Sequence, residues 1–270
     1  MNTPINQLAL HYDKVGTGEP LILVGGLTAN AREWQSLLPY LQDHFTVYMP
    51  ENRGAGQTSG WTDEFTIHDM ADDLAQFIAA QGLGSVNVLG HSMGGAIVQC
   101  LCIQHPHCVK AAMIASSFAK FPKAAQLYIE NTPELIAAGL PIELVLRSIY
   151  TRLYGSRFLS DAPLVSSELQ RMLNDPFPQT PAGYQAQVKA IAKFDTRAEL
   201  GQISCPVFII HGTEDVLTPS HLSQELHQKI KNSTLHGIPE CGHMLPQENP
   251  EALAHYILRT LSPSPDKSEP

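Results

Sequence analysis

Short, unbroken apolar runs set the limits on what this chain can fold into. Leu21-Ile22-Leu23-Val24 ends at Gly25-Gly26, and Phe45-Thr46-Val47-Tyr48-Met49 is stopped by Pro50. Ser85-Val86-Asn87-Val88-Leu89, Val109 to Ala115 and Pro206-Val207-Phe208-Ile209-Ile210 repeat the pattern. Runs of this length without alternation suit strands buried on both faces, as in a parallel sheet. Leu8, Leu10 and Tyr12 do alternate, as in a half-buried strand, and Thr234 to Ile238 is a weaker last strand.

Helical periodicity falls between these runs. Ile67, Met70, Leu74, Phe77 and Ile78 share one face, and Thr66 with Asp69 forms the pattern of a capping box. A helical stretch follows Ser92 to about Gln104, another spans Ser220 to Lys229, and Asn249-Pro250 is the expected start of a final helix. Alternating strands and helices imply a mostly parallel sheet with helices on both faces. The alternation stops once. From Phe118 to Asp195 no convincing strand occurs, and the best helical candidates are Leu135 to Tyr154, Leu164 to Leu173 and Tyr184 to Phe194. The expectation is an α/β core over 1–117 and 196–261, a helical cap over 118–195 lying at the strands' C-terminal edge, and a disordered Pro/Ser-rich tail over 262–270.

Charge and cysteine usage narrow the class. The 270 residues carry 17 Lys+Arg against 26 Asp+Glu, a formal net charge of −9, which disfavours nucleic acid and anionic membranes as partners. No window approaches the length of a spanning apolar helix. Met1 to Asp13 lacks the basic and apolar regions of a secretory signal, and the five cysteines are an odd count. A reduced, cytoplasmic protein is expected. Cys100-Leu101-Cys102 has no second close pair, so no metal site is expected. The charge is uneven: residues 118–195 hold 8 basic and 7 acidic side chains, leaving 9 and 19 for the rest.

Gly90-His91-Ser92-Met93-Gly94 matches G-x-S-x-G between a strand and a helix, the setting in which a sharp turn holds a serine hydroxyl exposed. Such a hydroxyl needs a base, and the base needs an orienting carboxylate. Asp215, just past a strand, and His243, after the last one, follow Ser92 in the order this arrangement requires. His91 is read as shaping the turn and Glu214 as pointing elsewhere.

At these residues the chain resembles the α/β-hydrolase superfamily, in its branch of small serine esterases and lactonases with a helical cap. The resemblance rests on Gly25-Gly26-Leu27, Asn52-Arg53-Gly54-Ala55-Gly56, Gly90 to Gly95, Gly212-Thr213-Glu214-Asp215 and Gly242-His243. It implies a triad of Ser92, Asp215 and His243, an oxyanion hole from the backbone N–H groups of Leu27 and Met93, and no cofactor. One departure stands out. The family's first loop usually reads His-Gly, whereas this chain has Gly25-Gly26, a change that keeps the N–H donor but bears on loop rigidity. Arg53 is read as fastening its own loop. The serine at the turn sets the chain apart from dehalogenases and epoxide hydrolases of this fold, which use Asp there.

Leu127, Ile136, Leu140, Leu144, Ile149 and Phe177 are candidate lining residues of an acyl pocket. Arg147, Arg152 and Arg157 are candidate contacts for an acyl carrier protein, because the layout is similar to pimeloyl-carrier methyl ester esterases. Their spacing does not place all three on one helical face. Three readings stay open: an esterase or lactonase for a small or medium acyl substrate, an esterase or thioesterase for a carrier-bound chain, and a non-catalytic ligand-binding member of the fold. The triad cannot separate esterases from C–C bond hydrolases or cofactor-free haloperoxidases, and the oligomeric state is open.

Overall fold

The computed structural model describes residues 1–62 and 64–262. Eight strands form one sheet in the order β1-β2-β4-β3-β5-β6-β7-β8. They are β1 (Asn2–Ile5), β2 (Leu8–Val15), β3 (Glu19–Val24), β4 (Phe45–Pro50), β5 (Val86–His91), β6 (Val109–Ala115), β7 (Val207–Gly212) and β8 (Ser233–Ile238). The pairs β1/β2 and β2/β4 are antiparallel, and all other pairs are parallel. The expected tail lies outside the described residues apart from Ser262.

The apolar runs are sorted residue by residue. Ile22 and Val24 join one apolar layer, while Leu21 and Leu23 join the other. Val88 and Ile114 follow the first pair; Leu89 and Met113 follow the second. A strand turns successive side chains to opposite faces, so a run without polar residues needs cover on both. Helices α2 (Ile67–Ala80), α3 (Met93–Gln104) and α9 (Ser220–Lys229) cover the first face. The second is covered by α11 (Pro250–Leu261) with Trp34, Leu37 and Leu41, the last within the short α1 (Leu38–Leu41). The capping box at Thr66 and Asp69 is formed, and Asn249 caps α11 by accepting from the Ala252 N–H.

Strand β4 lies on one side of β3 and β5 on the other, so successive connections leave β3 in opposite directions. Crevices for ligands open at such a switch point, beyond the C-terminal ends of the strands. Here the pairing brings Val24 beside Gly90 and His91 beside Ala115, aligning the loops that follow β3, β5 and β6.

Between β6 and β7 the described elements are helices: α4 (Lys123–Ala137), α5 (Ile142–Leu153), α6 (Ser156–Leu159), α7 (Ala162–Leu173) and α8 (Pro181–Lys193). The sequence expectation of one helix over Leu135 to Tyr154 is corrected here. Helix α4 ends in a Schellman turn, with Gly139 at φ +83°, its N–H bonded to the Ile136 carbonyl and the Leu140 N–H to the Leu135 carbonyl. Pro141 then starts α5. Helix α4 itself was obscured by Pro133, which lacks the N–H that would bond the Ile129 carbonyl. That carbonyl accepts instead from the Tyr184 hydroxyl of α8 at 2.9 Å. Strand β1 was also unread; it is four residues long and contains Pro4.

Candidate active site

Ser92 occupies the turn from β5 into α3 with φ 55° and ψ −118°, a left-handed conformation that costs a non-glycine residue energy. The turn is pinned from several sides. Ser92 N–H donates to the Ala115 carbonyl at 2.9 Å, and the Ser117 hydroxyl donates to the Ser92 carbonyl at 2.7 Å. Gly94 packs against β3 so closely that a Cβ there would stand 2.0 Å from the Val24 carbonyl oxygen. These contacts hold Ser92 half-buried, and among the described residues its hydroxyl has no hydrogen-bond partner.

The loop after β3 passes directly over this serine. A Cβ on Gly26 would lie 3.1 Å from Ser92 Cβ and 3.6 Å from its Oγ. The Leu27 N–H follows that point, and the Met93 N–H begins α3. Neither donates to another group among the described residues. Unpaired N–H groups at a helix start are suited to an anion.

Asp215 and His243 are brought together. His243 Nδ1 lies 2.9 Å from Asp215 Oδ2, with both side chains buried. A carboxylate only accepts, so Nδ1 carries the hydrogen and Nε2 of the neutral ring is left as the base. Asp215 is held in turn by the N–H groups of Leu217 and Thr218 on Oδ1, at 2.9 and 2.8 Å, and by the Thr218 hydroxyl on Oδ2 at 2.6 Å. Burial alone would raise the Asp215 pKa. The His243 ring and the Thr218 bonds more than offset it and hold the group below the usual aspartate value.

Thr218, fully buried, was not singled out by sequence reasoning. Its signal was the position three residues after Asp215, where a hydroxyl closes a local turn. Glu214 does point elsewhere, accepting from the Ser156 N–H and hydroxyl. Arg53 pairs with Asp73, through Nε and through Nη2 at 2.8 Å, and so fastens its loop.

The helical segment is stitched to the loops of this site. The Leu153 carbonyl accepts from the His243 and Met244 N–H groups at 2.8 and 3.1 Å. Glu248, in the short α10 (Leu245–Glu248), accepts from Gly155, Gly242 and Met244 N–H groups. On the other side, the buried Gln187 of α8 accepts from the Thr28 N–H at 3.3 Å and donates to the Arg53 carbonyl at 2.7 Å. Glu248 and Gln187 were likewise not read from sequence.

The proposed lining residues are dispersed. Leu127, Ile136, Leu144 and Phe177 are exposed, and Leu140 is half-buried. Ile149 packs on a small cluster of Tyr150, Tyr154, Phe158 and Leu169. Arg147 sits 3.8 Å from Glu143, the Arg152 guanidinium lies over the Tyr128 ring at 4.3 Å, and Arg157 is exposed at the start of α6. No helix among the described residues is long and apolar enough to cross a membrane.

Comparison with known proteins agrees with the geometry. A family model described as alpha/beta hydrolase fold matches residues 19–250. A Mycobacterium tuberculosis protein named "Putative non-heme bromoperoxidase BpoC" is 27% identical, over 93% of this chain and 96% of its own length. The pimeloyl-[acyl-carrier protein] methyl ester esterase of Nitrosomonas europaea is 27% identical, over 87% of this chain and 92% of its own. Among solved structures, a thermophilic esterase from Thermogutta terrifontis superposes with a TM-score of 0.82 at 25% identity, covering 95% of each chain.

Proposed function

The chain belongs to the alpha/beta hydrolase family, and from that premise we propose that it is a serine hydrolase that cleaves a carboxylic ester, a small or medium acyl ester or lactone, through an acyl-enzyme intermediate. The observation that carries the reading is the buried Asp215–His243 pair at the same sheet edge as a strained, unpartnered serine. In this reading Ser92 Oγ attacks the ester carbonyl as His243 takes its proton, and Asp215 stabilises the imidazolium. The Leu27 and Met93 N–H groups receive the developing oxyanion, where one donor is worth about 3 kcal/mol in the transition state. His243 then protonates the leaving alcohol, and water releases the acyl group by the same steps reversed.

Residues 118–195 act as a cap that shapes the acyl site, and the odd cysteine count fits a reducing, cytoplasmic setting. A screen of p-nitrophenyl esters of graded chain length tests the activity. The reading expects turnover that Ser92→Ala lowers on the order of 10⁴-fold or more. Turnover that survives this change would sink it.

The carrier-esterase relative, with exposed Arg147, Arg152 and Arg157, supports a second reading in which the acyl group arrives on an acidic carrier protein. Arg147→Glu with Arg157→Glu would then lose turnover of a carrier-bound ester while small-ester turnover stays intact. Equal effects on both substrates would dismiss it.

A further inference from the structure

Beneath Ser92 lies a second histidine–carboxylate pair that the hydrolytic steps do not use. His91 is 2% exposed and Glu33 7%. His91 Nδ1 lies 2.6 Å from Glu33 Oε1, and Nε2 lies 2.9 Å from the backbone carbonyl oxygen of His243. That carbonyl can only accept, so Nε2 carries a hydrogen. Nδ1 then donates a second hydrogen to an ionised Glu33, or accepts one from a neutral Glu33 carboxyl. Either way the pair holds one proton more than a neutral histidine beside an ionised carboxylate, and as a unit it is uncharged.

The same pair touches three loops of the site. His91 precedes the nucleophile. Its Nε2–H holds the loop of the base. Glu33 Oε2 accepts from the Gly26 N–H of the oxyanion loop at 3.4 Å, and the Glu33 carbonyl accepts from Gln247 Nε2 at 2.8 Å. Room for this carboxylate exists because residue 25 is glycine. A Cβ there would stand 2.8 Å from Glu33 Oε2 and 2.6 Å from the Ala29 Cβ. Residue 25 is thus the position into which Glu33 reaches.

We propose that Glu33 and His91 are a positioning pair whose retained proton ties the oxyanion loop, the nucleophile turn and the His243 loop together. The proposal rests on the serine-hydrolase reading for its catalytic consequence and on these bonds for its substance. The groups facing the His91 ring are Glu33, the edge of Trp34 and the His243 ring at 5.0 Å, with Asp215 beyond it. Burial lowers the His91 pKa, but attraction to Glu33, its hydrogen bond, the His243 carbonyl and Asp215 together raise it above the ordinary histidine value. The proton is therefore held to a higher pH than an ordinary histidine holds one, and it is lost as pH rises through the raised value. Its loss leaves the Nδ1 lone pair facing a carboxylate and loosens the Glu33 bond.

Glu33→Gln separates this device from mere packing. A glutamine can donate to Nδ1 through its amide and accept from Gly26 through its oxygen, so every bond is kept by a neutral His91. The experiment measures the labelling rate of Ser92 by a fluorophosphonate from about pH 7 to about pH 10, together with ¹⁵N-histidine spectra of the intact protein. Wild type is expected to slow on the alkaline side as the His91 ring signals titrate. Glu33→Gln should label near the wild-type rate at neutral pH and lose both the slowing and the titration. Glu33→Ala, which orphans Nδ1 and Gly26, should label about 10-fold to 100-fold more slowly, as misplaced catalytic groups do.

An alkaline limb unchanged in Glu33→Gln, no titration of His91 above the ordinary histidine value in wild type, or full-rate labelling of Glu33→Ala would each overturn the proposal. Should Glu33→Ala fail to fold, the Gln variant and the spectra still decide. Absence of labelling in wild type would instead strike the hydrolase reading, leaving the spectra to judge the pair.

Discussion

The sheet and the helical segment bury their apolar residues in different ways. Each central strand is covered on both faces, and residues such as Leu21, Ile22, Leu23 and Val88 have no exposure at all. The segment over α4–α8 keeps only a small cluster of its own around Tyr150, Tyr154, Phe158 and Leu169. It leaves Leu127, Leu135, Ile136, Ile142 and Leu144 exposed. Its α4 and α8 join the sheet's first apolar layer through Ile129, Val188 and Ile191, and polar bonds fasten the rest: Leu153 and Glu248 at the base loop, Gln187 at the loops after β3 and β4, and the Asn30 side chain donating to Asp175 at 2.7 Å. The segment is thus fastened where it meets the proposed catalytic loops. The described α4–α5 hairpin reaches those loops at one point, the Leu153 carbonyl at the end of α5. The sheet sets where the proposed catalytic groups stand, and the stitched ends of the segment keep their loops in place.

Substitutions can break this comparison at either region. The largest effect is expected where α3 packs on the sheet, from Gly94→Ala. The added Cβ meets the Val24 carbonyl, so stability should fall by more than about 3 kcal/mol, read by urea unfolding. A loss no greater than that of an ordinary surface change would mean that the turn is not clamped to β3. Next is Gln187→Ala, which orphans the Thr28 N–H and the Arg53 carbonyl beneath the segment. A loss of about 1–3 kcal/mol with a fall in kcat is expected, because the proposed oxyanion loop loses a support.

Thr218→Val sharpens the comparison from within the core. The folded-state pKa of Asp215 is depressed, so its stabilisation is present above the unfolded value and lost as pH falls through the folded one. Without the Thr218 hydroxyl bond the depression shrinks, and the acid-unfolding midpoint should move to higher pH. An unmoved midpoint would count against that bond. The smallest effect is expected from Leu144→Ser on the exposed face of α5. Stability should change by less than about 0.5 kcal/mol, and a larger loss would show that the hairpin is packed more firmly than its exposure implies.

What could be read in advance follows the same division. The parallel strands were legible because full burial removes polar residues from them, and Ser92, Asp215 and His243 stood out as candidates because chain order and turn chemistry constrain them. Helix α4 was hidden because Pro133 usually ends a helix, and the compensating Tyr184 hydroxyl lies 55 residues away in sequence. Glu33, Gln187 and the Glu248 bond to Gly155 were hidden for the same reason. Each acts on partners distant in the chain, such as His91 at a separation of 58, and no local pattern announces such a bond. Thr218 was within reach of a turn argument, since it sits three residues from the carboxylate that it bonds.

Ser92 is proposed above as the nucleophile of an ester hydrolase, served by His243 and Asp215. The most direct test is to react the intact protein with a fluorophosphonate and to map the modified residue by peptide mass. The expected result is one adduct on Ser92, absent in Ser92→Ala and strongly slowed in His243→Ala. An unmodified protein, or an adduct on another residue with Ser92 untouched, would contradict the claim.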